Sequence, residues 1–173
     1  MKMRLAFLTL LILTFANPGL AQKPSPPAQA QCKFSDGKTI TVDYSSPRMK
    51  GRKIYGGLVP YGEVWRTGAN EATTFVTTAN LSVGGKNVPA GNYTLFTVPN
   101  PDKWTLIINK KTGEWGIPYK YEADELLRTD MKVAKTMSPM ENFTISFDQA
   151  GGACTLNIIW DDNKASAELM ESK

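Results

Sequence analysis

Residues 142–160 read NFTISFDQAGGACTLNIIW, and their pattern decides the class of fold. Phe143, Ile145 and Phe147 alternate with Thr144, Ser146 and Asp148, the period of two that places apolar side chains on one face of a strand. Gly151-Gly152 turns the chain, and Cys154, Leu156, Ile158 and Trp160 resume the alternation on the way back. The segment predicts two antiparallel strands with a buried face.

The same grammar recurs outward from this hairpin. Asp36-Gly37 separates residues 32–34 from residues 39–44, where Ile40, Val42 and Tyr44 alternate with Thr39, Thr41 and Asp43. Gly84-Gly85 joins residues 81–83 to residues 86–88. Residues 93–98 and 104–109 flank Pro99-Asn100-Pro101-Asp102, which must turn. Only residues 121–128, YEADELLR, read as helical, with acids in the first turn and Arg128 in the last. Many short strands without βαβ alternation predict an all-β protein, an antiparallel β-sandwich or jelly-roll-like barrel with at most one short helix.

At the N-terminus, Lys2 and Arg4 precede an apolar run over residues 5–16, which Asn17-Pro18-Gly19 breaks before Ala21. That order predicts a signal peptide over residues 1–21, cut after Ala21, and a periplasmic or secreted protein. The run is shorter than the roughly 20 residues of a spanning helix, so no membrane span is expected after cleavage. Cys32 lies well downstream and follows Gln31, so the chain does not read as a lipoprotein. Residues 22–31, QKPSPPAQAQ, have little to bury and read as a Pro/Gln-rich tether. A single domain is expected over residues 32–169.

Composition excludes several chemistries. The formal charge of +4 falls to +2 once Lys2 and Arg4 leave with the signal, too little for the basic stripe of a nucleic-acid binder. The chain has no histidine, which removes histidine-based triads, imidazole proton shuttles and the commonest zinc sites. Glu122, Asp124 and Glu125 lack the alternating spacing of a calcium loop, and no metal or cofactor is expected. The two cysteines, Cys32 and Cys154, either form one disulfide or remain separate buried thiols.

The candidate site falls in residues 50–78, KGRKIYGGLVPYGEVWRTGANEATTFVTT, too irregular for one strand and too rich in glycine for a helix. Residues 63–66 and 71–75 read as strand ends joined by Thr67-Gly68-Ala69-Asn70, which sets Arg66 opposite Glu71. In one reading Arg52, Tyr61, Glu63, Trp65, Arg66, Asn70 and Glu71 line a pocket. Arg52 and Arg66 there offer guanidinium forks to a small polar or anionic ligand, a glycan or a cell-envelope protein, and Trp65 or Tyr61 a stacking face. In a second, Arg66 and Glu71 pair only to pin the loop. A third is enzymatic, a hydrolase or isomerase using Glu63, Glu71 or Asp43 as acid and base beside Arg52 and Arg66. Between module and enzyme the binding module is favoured, while for Arg66 and Glu71 themselves the structural pair is preferred over the ligand site. Trp104 and Trp115 are read as core aromatics rather than as a sugar platform with Trp65.

The runs YSSPRMKGRKIYGGLVPYGEVWRTGANEATTF and GGKNVPAGNYTLFTVPNPDKWTLIINK closely resemble the bacterial exported family catalogued as domain of unknown function 2911, over residues 40–160. The resemblance implies export, one domain and a mostly β fold, and carries no activity. Ser46 departs from it, since the family pattern leads one to expect an Arg before the proline.

Overall fold

The computed structural model describes residues 25–172. The expected signal peptide and its cleavage point lie outside the described residues. The strands are β1 (Pro27–Lys33), β2 (Thr39–Ser45), β3 (Thr74–Thr77), β4 (Leu81–Val83), β5 (Lys86–Val88), β6 (Gly91–Val98), β7 (Trp104–Asn109), β8 (Glu125–Ala150) and β9 (Ala153–Glu171). They form one open, antiparallel, nine-stranded sheet in the order β1-β2-β3-β6-β7-β8-β9-β4-β5. The all-β antiparallel architecture is the expected one, reached with a single continuous sheet rather than two separate ones.

The sheet folds over on itself because β8 belongs to both halves. Its first residues, up to Met131, pair with β7, and the remainder, from Lys132 to Ala150, pairs with β9. Register shifts between Lys135 and Met140 and between Met140 and Thr144 interrupt the second ladder, and such irregularities bend and twist a strand. The edge formed by β1 and β2 thereby meets the far hairpin. Tyr44 Oη donates to the Ile145 carbonyl at 3.4 Å and accepts from the Ile145 N–H at 3.1 Å. Ser46 Oγ donates to the Phe143 carbonyl at 2.6 Å. Cys32 on β1 and Cys154 on β9 are joined by a disulfide, with Cα atoms 6.2 Å apart.

One core fills the fold. Ile40, Phe75, Leu95, Leu106, Leu156 and Trp160 are all buried in it, the inward sets of strands from both halves. β6 and β7 are buried on their outer face as well, where Phe96, Val98 and Ile107 pack with Ala72 and Tyr121. Loops must cover that second face. They are the excursion before β3 and the segment between β7 and β8, and the candidate site is made where they meet the folded edge.

Two expectations are corrected. Residues 121–128 are not a helix: Glu122–Asp124 makes one 3-10 turn, and β8 begins at Glu125. Leu127 is buried opposite Ile108 and Arg128 is exposed opposite Ile107. A helix so short is marginal alone, whereas the extended chain satisfies the β7 ladder. Residues 27–31, expected to lie in a tether, are instead strand, since pairing with β2 starts at Pro27. Proline is tolerated at the first position of an edge strand, and Ala30 is small enough to be buried opposite Val42.

Candidate functional site

Trp65 anchors the excursion between β2 and β3. Its backbone pairs with Thr97 in a short bridge, N–H to carbonyl in both directions at 2.7 and 3.0 Å. Its indole, only 7% exposed, packs among Tyr55, Trp104, Phe143 and Trp160. The chain then leaves the sheet and returns at Thr73, whose N–H donates to the Arg66 carbonyl at 3.2 Å. The expected hairpin over residues 63–75 is therefore a closed loop with a single bridge. Its shape comes from Thr67 and Asn70, which sit at φ 54° and 59°. A β-branched residue rarely occupies that region, at a cost of about 1–3 kcal/mol.

Buried hydrogen bonds hold Thr67 in place. Its hydroxyl lies 3.0 Å from that of Thr97, and its carbonyl accepts from Thr73 Oγ1 at 2.7 Å. Trp65 Nε1 donates to the Gly68 carbonyl at 3.1 Å. Asn70 Nδ2 donates to Ser45 Oγ at 3.0 Å and to the Ser25 carbonyl at 3.3 Å, which ties the loop to the chain at both ends of the β1–β2 hairpin. Gly68 has no room for a side chain, because a Cβ there would stand 3.0 Å from the Ser45 carbonyl oxygen.

Against this rigid loop opens a cleft of about 450 Å³. Trp65 and Trp160 contribute to its floor, and Leu58 and Ile117 to its apolar wall. Its charged lining is Arg48, Lys50, Arg52 and Arg66; no carboxylate is among the described residues that line it. Arg48 and Arg52 are braced by backbone. Arg48 Nη1 donates to the Ser46 carbonyl and Oγ at 2.7 and 2.8 Å, and Arg52 donates to the Arg48 and Met49 carbonyls at 2.5 and 3.0 Å. These bonds use one or two nitrogens of each guanidinium, which carries five N–H donors in all.

Arg66 differs from the other three. Its guanidinium carbon stands 4.7 Å from the centroid of the Trp115 ring, and Nη1 reaches the Trp115 carbonyl at 3.4 Å. Its Nε is buried and has no hydrogen-bond partner among the described residues. Burial lowers the pKa of the group, and the nearby charge of Glu71 opposes that shift. Gly116 packs beneath it, at φ 85°.

Of the seven residues expected at a pocket, Arg52, Trp65 and Arg66 line this cleft. Tyr61 is exposed, Asn70 braces the loop, and Glu71 is exposed near Arg66. Glu63 lines an adjoining hollow. Asp43 is exposed on β2 and accepts from Gln29 at 2.7 Å. Trp65, 7% exposed and packed among aromatics, offers no open stacking face, and Trp104 is buried likewise. Trp115 is the exception, 55% exposed and laid over Arg66. Sequence reading passed over Arg48 and Lys50. Their signal was the run of cations at every second position, Arg48, Lys50 and Arg52. Ile117 and Trp160 had no local signal, since only the folding of the sheet brings them here.

Fold and cleft together define an all-β domain with a cationic, apolar-floored cleft. The chain belongs to the family described as Protein of unknown function (DUF2911), whose model matches residues 25–169. No curated protein and no solved structure matches it. At the position where the family pattern suggested arginine, Ser46 is buried, and its Oγ accepts a hydrogen bond from Arg48 two residues on.

Proposed function

We propose that this protein is an exported, non-enzymatic module that binds a small anionic ligand in the cleft lined by Arg48, Arg52 and Arg66. The observation that carries the reading is the one-signed lining, in which Arg48, Arg52 and Arg66 carry more guanidinium N–H groups than their backbone bonds use. A carboxylate or phosphate oxygen in the cleft would accept charge-assisted bonds from these groups. The apolar floor lowers the local dielectric and strengthens such a bond. Export is supported by the order of charge, apolar run and small residues at the N-terminus and by the disulfide, which persists in oxidising compartments. Among the described residues no helix is long and apolar enough to cross a membrane.

Titration calorimetry of the mature protein against organic acids, sugar acids, phosphates and neutral sugars tests the ligand class. Anions should bind, neutral sugars should not, and Arg66→Gln should weaken binding about tenfold or more, the worth of one charge-assisted hydrogen bond. Arg66→Lys should rescue little, because the planar fork is lost. Equal binding of neutral sugars, or affinity indifferent to Arg66, contradicts the reading. N-terminal sequencing of the exported protein should begin at Gln22, and retention of residues 5–16 would contradict cleavage.

A further inference from the structure

A second hollow, of about 400 Å³, adjoins the cationic cleft. The two share Leu58, Val59, Trp65 and Ile117. Leu58 and Ile117 are 47% and 49% exposed at that shared wall, an apolar surface held open to solvent. The charged lining of the second hollow is Glu63 and Glu122, with no Lys or Arg among the described residues that line it. Tyr119 is also there, but its hydroxyl is already engaged, donating to Glu125 at 2.5 Å and accepting from Asn109 at 3.2 Å. The molecule thus presents two hollows of opposite sign on either side of an aliphatic saddle.

We propose that the two hollows are a single two-ended site for a zwitterionic ligand with an apolar body, of the class of short apolar peptides with free termini. The inference rests on the anionic cleft proposed above and adds its second pole. The ligand carboxylate lies among Arg48, Arg52 and Arg66, where planar guanidinium forks match its two oxygens. The terminal ammonium lies at Glu63 and Glu122, and the apolar side chains cover Leu58 and Ile117, removing aliphatic surface from water. Other anions fit less well. A sugar acid would set hydroxyls against the aliphatic saddle, and a dianion extending into the second hollow would meet two carboxylates of its own sign.

The test uses leucine- and alanine-containing peptides from dipeptide to pentapeptide in free, C-amidated and N-acetylated forms, titrated into the mature protein by calorimetry. Amidation should weaken the best free peptide about tenfold or more, since it removes a charge-assisted partner of the arginines. Acetylation should weaken it about threefold, the scale of an exposed ion pair. In Glu63→Gln/Glu122→Gln the free and acetylated peptides should bind equally, while sensitivity to amidation persists. Both substitutions lie on exposed side chains and leave the core untouched. Sensitivity to amidation alone would overturn the two-ended site and leave the anion cleft standing. So would tight binding of simple carboxylates or phosphates with no binding of any peptide. If no anion of either kind binds, the anion cleft itself fails and the two-ended site falls with it.

Discussion

Gly116 leaves no room for a side chain beside Arg66. A Cβ on Gly116 would stand 3.0 Å from Ala72 Cβ, 3.1 Å from Arg66 Cβ and 3.1 Å from Phe96 Cε1, at a backbone φ of 85° that disfavours any side chain. Gly116→Ala should therefore destabilise the fold by about 1–3 kcal/mol, through backbone strain and overpacking together. Gly113 has a similar φ of 75° but nothing within 4 Å of the added atom, so Gly113→Ala carries the backbone part alone. Urea denaturation of the two variants separates the terms, and equal destabilisation would show that Gly116 is not wedged against Arg66. At this scale the sequence was informative about residue type and less so about role. Arg52 and Arg66 were identifiable as guanidinium donors, but Trp65 drew notice as a stacking face and turns out to be buried among four other aromatics. Nothing local distinguishes an aromatic that faces the core from one that faces a ligand.

The start of β8 shows how an element overrides its own propensity. YEADELLR carries helical charge placement, yet Glu125 and Arg128 end as partners in an extended chain. Arg128 donates bidentately to Glu125 at 2.6 and 2.7 Å, and Tyr119 adds a third bond. Burial alone would lift the Glu125 carboxyl, but the bonds from Arg128 and Tyr119 hold it below the usual carboxylate range. A carboxyl with a depressed folded pKa contributes stability that is present above its unfolded pKa, about 4.3, and is lost as pH falls through the folded value. Glu125→Gln should flatten the acid limb of the stability–pH curve below about pH 4.3. Identical acid limbs in variant and wild type, followed by urea denaturation across that range, would contradict the role. The closed loop before β3 was illegible for a related reason. Two strand-like ends joined by four residues suggested a hairpin, but the left-handed backbone at Thr67 and Asn70 is set by tertiary bonds to Thr97, Thr73 and Ser45, which no local pattern encodes.

For the whole molecule, the hairpins at Gly37, Gly84-Gly85 and Gly151-Gly152 were readable because turn chemistry and alternation are both local. Strand order was not, since it depends on one long bent strand serving both halves of the sheet. The disulfide closes that arrangement, tying an edge strand to the far hairpin across a sequence separation of 122. Cys32→Ser/Cys154→Ser should cost about 2–5 kcal/mol, measured by urea denaturation against the oxidised wild type. A loss near zero would mean that side-chain packing alone holds the folded-over edge. That edge builds the cleft, because Arg48, Trp65 and Trp160 come from parts of the chain that only the folded-over sheet assembles. We propose that the cleft they form takes an anion. It is tested most directly by a crystal structure of the mature protein with the tightest-binding anion from the titrations. An anionic oxygen should lie within hydrogen-bond distance of the Arg66 guanidinium and face Arg48 and Arg52; an anion bound elsewhere at full occupancy, with this cleft holding only water, would contradict anion binding here.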